Sequence, residues 1–440
     1  MNQAANPAVM RAVEKLGYRV TIGDVASQAG LDVNLAEREL LALASAAEGH
    51  MQVAESGEIA YLFPPNFRSI LRNKDWQMRW RERLAKVWGM IFYLIRISFG
   101  IYLIASLALI LIAITIIVIA LNSNRDGDSG GDWGGDWGGG WGNGWGGGWF
   151  YIFTPDYYSP RRTRERRSTR RGRDEEPSLN FLEAIFSFLF GDGNPNYDLD
   201  ERRWQTIGTV IRNSGGAIVA EQVAPYLDDL GTQGQQETED YMLPVLSRFN
   251  GRPEVSPEGQ IVYHFPELQV SAAQTKPRPV SAYLKEQLWK FSQAGSGQII
   301  TAIGLGGVNL VGALVLGGLL GDGSIAQDLG GLVQFVAGIY WLLLGYGTGF
   351  LGIPLARYFW VQGRNRKVTE RNDQRQLRAM ALNQADETIQ QKLSFARQFA
   401  AETVISEDDL AYTTESDLTE QESKQTDKID AEWYRRLEGL

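Results

Sequence analysis

Residues 87–121 read VWGMIFYLIRISFGIYLIASLALILIAITIIVIAL, and this run decides what kind of molecule the chain is. Its second part, Gly100–Leu121, has 22 residues without a charge, enough for one bilayer crossing at ~1.5 Å per residue. Two further apolar runs, 298–320 and 331–356, are long enough to cross as well. Flanking cations set the expected orientation. Arg68, Arg72, Lys74, Arg79, Arg81, Arg83 and Lys86 precede the first run, and Lys276, Arg278, Lys285 and Lys290 precede the second. Arg357, Arg364, Arg366 and Lys367 follow the third, whereas the connector GDGSIAQDLG (321–330) has no basic residue. The connector is therefore expected outside and the large soluble segments inside, facing the cytoplasm. All 35 residues of the first run would reach roughly 50 Å as helix, too long for one ~30 Å core and too short for two. A hairpin or re-entrant wedge turning near Ser98–Gly100 is the leading expectation, which would let Arg96 snorkel from a short arm; a single tilted span is the alternative.

Composition removes whole classes of chemistry. The 440 residues include no cysteine, which excludes disulfides, thiolate metal sites and cysteine nucleophiles within the chain. His50 and His264 are the only histidines, so no histidine-rich metal centre is available. The net charge of −9 does not support whole-chain affinity for nucleic acid. The N-terminus has no apolar core followed by a cleavage site, so no signal peptide is expected.

The soluble parts carry the same pattern twice, in 1–67 and 200–270. RVTIGDVASQAGLD, LLALASAAEG and MQVAESGEIAYLFPPNF in the first answer to AIVAEQVAPYLD, MLPVLSRFNG and PEVSPEGQIVYHFPEL in the second. Val53 matches Val255, Gly57 matches Gly259, and Tyr61, Phe63 and Pro64 match Tyr263, Phe265 and Pro266. Matching segments in one order indicate an internal repeat. Helical spacing over Pro7–Leu16, a short helix at Ile22–Ala29 and a third capped by Asn34, with Glu37 in the capping-box place, precede a hairpin about Ser56-Gly57. Three helices and a hairpin predict a winged-helix-like domain. Winged helices often bind DNA, but residues 1–66 hold four basic against eight acidic residues and 200–270 hold five against eleven. The third-helix positions are assigned Glu37 and Glu39 in one copy and Glu237, Glu239 and Asp240 in the other, so both copies would repel a phosphate backbone.

Between the first run and the second copy lies a linker, 122–178, of unusual composition. Trp133, Trp137, Trp141, Trp145 and Trp149 recur every four residues among glycines, a flexible loop that interfacial tryptophans would lay along lipid headgroups. RRTRERRSTRRGR follows, with Arg161, Arg162, Arg164, Arg166, Arg167, Arg170, Arg171 and Arg173 against one Glu, a polybasic stretch suited to anionic membrane lipid. These thirteen residues are the lipid-interface candidates; a plain low-complexity linker is the bland reading. Residues 179–190 then form an amphipathic helix with Asn180, Glu183 and Ser187 on one stripe, lying in the interface or packed on the transmembrane pair.

The stretch FLEAIFSFLFGDGNPN (181–196), followed by a winged-helix-like segment and a Gly-rich transmembrane pair, resembles a family of uncharacterised membrane proteins of cyanobacteria and chloroplasts. The resemblance covers roughly 179–360 and, more weakly, the N-terminal domain. It implies a plasma or thylakoid membrane. Plant relatives carry an iron-sulfur cluster biosynthesis label, which this cysteine-free chain cannot match by ordinary ligation, so no functional residue is carried over.

No segment offers a nucleophile, base and orienter at workable spacing, and GLGGVNLVG (304–312) lies in a span rather than after a strand, so no catalytic, cofactor or metal residue is assigned. In the later spans Ala302/Gly306, Ala313/Gly317/Gly321 and Gly345/Gly349 are small residues at spacing four, expected to pack two helices tightly. Residues 364–440 are expected as a polar helix and an acidic, solvated tail. The fold class expected is a mainly α membrane protein: two winged-helix-like α+β domains, a membrane hairpin or single span, and a two-helix transmembrane pair. The function expected is a non-catalytic scaffold or assembly factor with an unidentified protein partner, anionic lipid contacts and self-association. A membrane-tethered nucleic-acid-binding regulator and a transporter or channel accessory subunit are the alternatives.

Overall fold

The computed structural model describes residues 6–123 and 180–438, apart from positions 75, 275, 322, 385, 407 and 408. The described residues are mostly helical, with nine short strands in three small sheets. They divide into two units, one of Met1–Arg83, Asn196–Gln287 and Lys367–Leu440, the other of Leu84–Pro195 and Leu288–Arg366.

In the first unit, Asn6 caps a helix over Pro7–Lys15, which leads into strand β1 (Arg19–Thr21). Thr21 and Asp24 then close a reciprocal capping box that starts the Ile22–Ala29 helix, and Gly30, at φ 65°, ends it in the left-handed region glycine tolerates. The Val33–Ala46 helix is capped by Asp32, whose carboxylate accepts from Leu35 N–H at 3.1 Å, not by Asn34. The cap therefore stands two residues before the expected one. Strands β2 (His50–Ala54) and β3 (Ile59–Leu62) follow, joined through Gly57 at φ 88°.

The segment Asn196–Gln287 runs in a similar order. A Leu199–Asn213 helix leads to β4 (Ala217–Ile218), a short Ala220–Val223 helix, a Leu243–Phe249 helix, then β5 (Arg252–Val255) and β6 (Ile261–His264). The three strands stand in the order β1-β3-β2 in one sheet and β4-β6-β5 in the other. The third helix has 14 residues in the first case and seven in the second, where Glu237, Glu239 and Asp240 precede it instead of lying on it.

One apolar cluster holds residues of both segments, among them Val25, Ala26 and Leu40 with Ile207, Ile211 and Phe265. The Ile22–Ala29 and Leu199–Asn213 helices cross closely where Gly208 has no side chain. A Cβ there would stand 2.9 Å from Ser27 Cα. The C-terminal residues, expected as solvated tail beyond the polar helix, return to this unit. A Glu387–Ala396 helix puts Ala396 into a cluster with Val219 and Val262. After strand β7 (Val270–Ser271), β8 (Thr403–Val404) runs parallel to it, and β9 (Leu410–Thr413) pairs antiparallel with β2. Acidic composition hid these strands because a strand paired on one edge needs few buried side chains.

In the second unit the turn expected near Ser98–Gly100 does not form. One helix runs unbroken from Trp76 to Ser123, and Ser98 donates to the Ile95 carbonyl within it. An apolar stretch has no side chains to satisfy the backbone groups a turn would free, whereas a continuous helix satisfies them internally. Among the described residues two helices, within Arg83–Ser123 and Ser296–Leu319, are long and apolar enough to cross a membrane. A third crossing exists if Gly331–Gly338 and Tyr340–Asn383, bent by 58°, count as one.

Ile110, Ala113 and Ile117 pack with Ala313, Leu316, Val333 and Val336, and the Phe181–Phe190 helix packs Ile185 and Phe188 against Leu103, Ala302 and Phe350. Small residues do bring these helices together, but not all those expected. Gly306 faces Phe350 and Gly317 faces Tyr340, while Gly347, not Gly345 or Gly349, meets the Leu310 backbone. Asn309, fully buried, donates to Ser106 Oγ at 2.8 Å, so its amide joins two helices in place of facing lipid.

Candidate functional site

The first unit is held by three charged clusters, each built from residues distant in sequence. At the helix crossing, Asp24 accepts from Thr21 N–H (2.9 Å) and Ala272 N–H (3.0 Å) and pairs with Arg212 at 2.5 Å. The two backbone donors are orphans of a helix start and a strand end, so one carboxylate satisfies both and neutralises a guanidinium. A cavity of about 30 Å³ beside the pair is lined by Leu16, Asp24, Ser27, Arg212, Lys276 and Arg278, room for one water-sized guest.

The second cluster joins the polar end of the Tyr340–Asn383 helix to the same unit. Glu286 is 5% exposed and Arg375 1%. Arg371 grips Glu286 with both fork nitrogens, at 2.7 and 2.6 Å, while Arg375 reaches Glu286, Asp228 and the Leu284 carbonyl. Burial pushes the Glu286 carboxyl up, but Arg371 and Arg375 outweigh it and hold it below the ordinary range. Asp228 shows the same balance, with burial opposed by Arg203 and Arg375. Arg371, Arg375 and Arg378 sit at i, i+4 and i+7, and Arg378 donates to the Leu227 carbonyl at 2.9 Å. That stripe of arginine on one helix face was the available sequence signal for this cluster.

The third cluster seats the Glu387–Ala396 helix. Lys392 lies 2.8 Å from Glu221 and 2.7 Å from Glu239, and Tyr263 donates to Glu239 at 2.8 Å. Burial lowers the lysine's proton affinity, yet bonds to Glu221 and Glu239 win and raise it. Burial first, and then the Glu239 contact, push the Tyr263 hydroxyl up, so it remains a donor. Glu239 sits at φ 55°, a conformation a non-glycine residue holds only when its surroundings insist. The lowered Glu286 and Asp228 and the raised Lys392 are held in their charged forms, so their ion pairs fasten segments distant in sequence.

In the second unit the family-like motif turns a corner. Ser187 donates to Asp192 at 2.6 Å, Gln293 N–H donates to the same carboxylate at 2.9 Å, and Arg96 approaches it at 3.4 Å. Arg357 donates to the Phe188 and Ser187 carbonyls, filling the open end of the Phe181–Phe190 helix. Arg96 therefore has a counter-charge on an unbroken helix. Ser187 Oγ also lies 2.7 Å from the Ser292 hydroxyl and accepts from the Gln293 N–H at 3.1 Å.

His50 contacts the Thr414 carbonyl at 3.2 Å and His264 contacts Gln269 at 3.0 Å, each within the strand framework. Among the described residues no group of three or more His, Cys, Asp or Glu is arranged to hold a metal ion. The lipid-interface candidates, from Trp133 to Trp149 and Arg161 to Arg173, lie outside the described residues.

Comparison with known proteins finds an Arabidopsis thaliana protein described as "Uncharacterized protein At5g03900, chloroplastic". It is 37% identical over 443 aligned positions, which span 98% of this chain and 82% of the relative. No family model and no solved structure matches the chain. The relative's description states a chloroplast location and no iron–sulfur role.

Proposed function

The chain belongs to the family of that chloroplastic Arabidopsis protein, and from this premise we propose that it is a non-catalytic membrane scaffold. Its soluble unit would present two winged-helix-like modules, joined as one body, to a protein partner. The observation that carries this reading is the apolar cluster common to 6–71 and 199–284. Modules with one core offer a single composite surface, and the C-terminal strands fasten both to it. The equal strand orders support a duplicated winged-helix-like origin.

The shared core also bears on sidedness. A bilayer cannot separate segments that pack together, so Met1–Arg83, Asn196–Gln287 and Lys367–Leu440 would occupy one face. The basic flanks make that the inner face. A duplex-binding role is disfavoured by the acidic excess in both modules.

The exposed apolar residues of the two third helices, Leu41 at 57% and Leu243 at 63%, mark the surface to test. Single cysteines there, in a chain that otherwise has none, would carry a photo-cross-linker in native membranes. The scaffold reading expects one protein adduct of defined mass from either position. Adducts to nucleic acid alone, or none from either site, would sink it.

A further inference from the structure

The segment before the Ser296–Leu319 helix runs beside the Tyr340–Asn383 helix, and aromatic side chains from it meet two arginines seven residues apart. Arg357 lies over the Phe291 ring at 4.6 Å, and its N–H groups are occupied by the Ser187 and Phe188 carbonyls. Arg364 is placed differently. Its guanidinium sits in a corner made by Trp289 and Trp360, 5.0 and 5.3 Å from the ring centroids. The two rings are themselves 5.3 Å apart and nearly perpendicular, at 82°. Asn365 fixes Trp289 by accepting from its N–H at 2.8 Å and donating to its carbonyl at 2.9 Å. The two rings thus fix one side of the cation, its side chain is exposed, and no carboxylate among the described residues pairs with it.

We propose that Arg364, held by Trp289 and Trp360, binds the phosphate of an anionic membrane lipid. A guanidinium stacked on aromatic rings keeps its N–H fork in one plane and free, which suits two oxygens of a phosphodiester. The apolar stretch of its helix ends only two turns earlier, at Leu355, and tryptophan at such an end favours the membrane–water interface. Trp360 and Ile353, 51% and 45% exposed and two turns apart on the helix face that carries Arg364, give an acyl chain apolar surface on the side of the cation. That surface distinguishes a lipid from a free phosphate ester, which would gain nothing from it. The inference rests on the membrane reading above and is independent of the protein-partner reading. It also uses residues other than the Trp133–Trp149 and Arg161–Arg173 candidates.

The test is native mass spectrometry of the delipidated full chain with phosphatidylglycerol, phosphatidylcholine or glycerol phosphate. Phosphatidylglycerol should bind the wild type tightly. Arg364→Gln should weaken it roughly fivefold, the ratio that ~1 kcal/mol per surface cation represents. Arg364→Lys and Trp360→Leu should fall between, because the first loses the fork and the second one of its two supporting rings, while each retains a cation. Phosphatidylcholine binding should be the same in all four proteins. The other basic residues are common to every variant, so their contribution cancels in the ratio. Wild-type affinity in Arg364→Gln would overturn the site, and glycerol phosphate binding as tightly as the lipid would overturn the lipid assignment.

Discussion

Glu286 is a single residue on which two distant arginines converge, and its environment makes a signed prediction. Its folded carboxyl titrates below the ordinary 4.5, so its contribution to stability is complete above that value. The contribution is lost as pH falls through the depressed folded value. Glu286→Gln leaves Arg375, 1% exposed, with Asp228 as its remaining carboxylate and should destabilise the first unit by about 2 kcal/mol near neutrality. Thermal melts of wild type and variant should differ most above pH 4.5 and converge below it. A gap that stays constant with pH would show that packing, not charge, is what Glu286 supplies. No local pattern about Glu286 announces this role, because its partners stand 85 to 89 positions away on another helix.

At the scale of elements, the two hairpins differ in what their outer edges accept. Met51 stands opposite Tyr61 in one and Pro253 opposite Tyr263 in the other, both at positions whose backbone faces away from the inner strand. Met51 N–H donates to Thr414 Oγ1 at 2.8 Å and its carbonyl accepts from Thr414 N–H at 3.0 Å, which docks β9. Pro253 has no N–H to offer, and proline on an edge discourages further pairing. The C-terminal strand therefore has one productive edge. Met51→Pro should loosen β9 by about 1 kcal/mol and speed tryptic cleavage within the Leu418–Glu438 helix, while Pro253→Met leaves cleavage unchanged. Equal cleavage in both variants would refute the assignment. The helix over 7–15 and the hairpin about Gly57 are readable in the sequence, since helical spacing and a turn glycine are local signals. The continuity of Trp76–Ser123 is not, because length alone cannot say whether an over-long apolar helix bends or extends.

At the scale of the molecule, the shared core predicts the topology of the chain. Single cysteines replacing Ser56, Glu258 and Ser324, all exposed, probed with an impermeant thiol reagent on intact cells, should label from outside only at Ser324. Labelling at Ser56 but not Glu258 would place the two modules on opposite faces, which one common core forbids. Residue order alone sets the apolar runs, the acidic charge of 1–66 and 200–270 and the local signals for helices and turns. Each of these depends on residues a few positions apart, where periodicity and composition act directly. Folding in three dimensions is what gives residues 6–71 and 199–284 a common core and brings the acidic C-terminal segment back as strands. It also decided that Arg96, Arg212 and Arg375 find their acids 96, 188 and up to 147 residues away. Such pairings depend on the complementarity of whole surfaces, which no window along the chain contains.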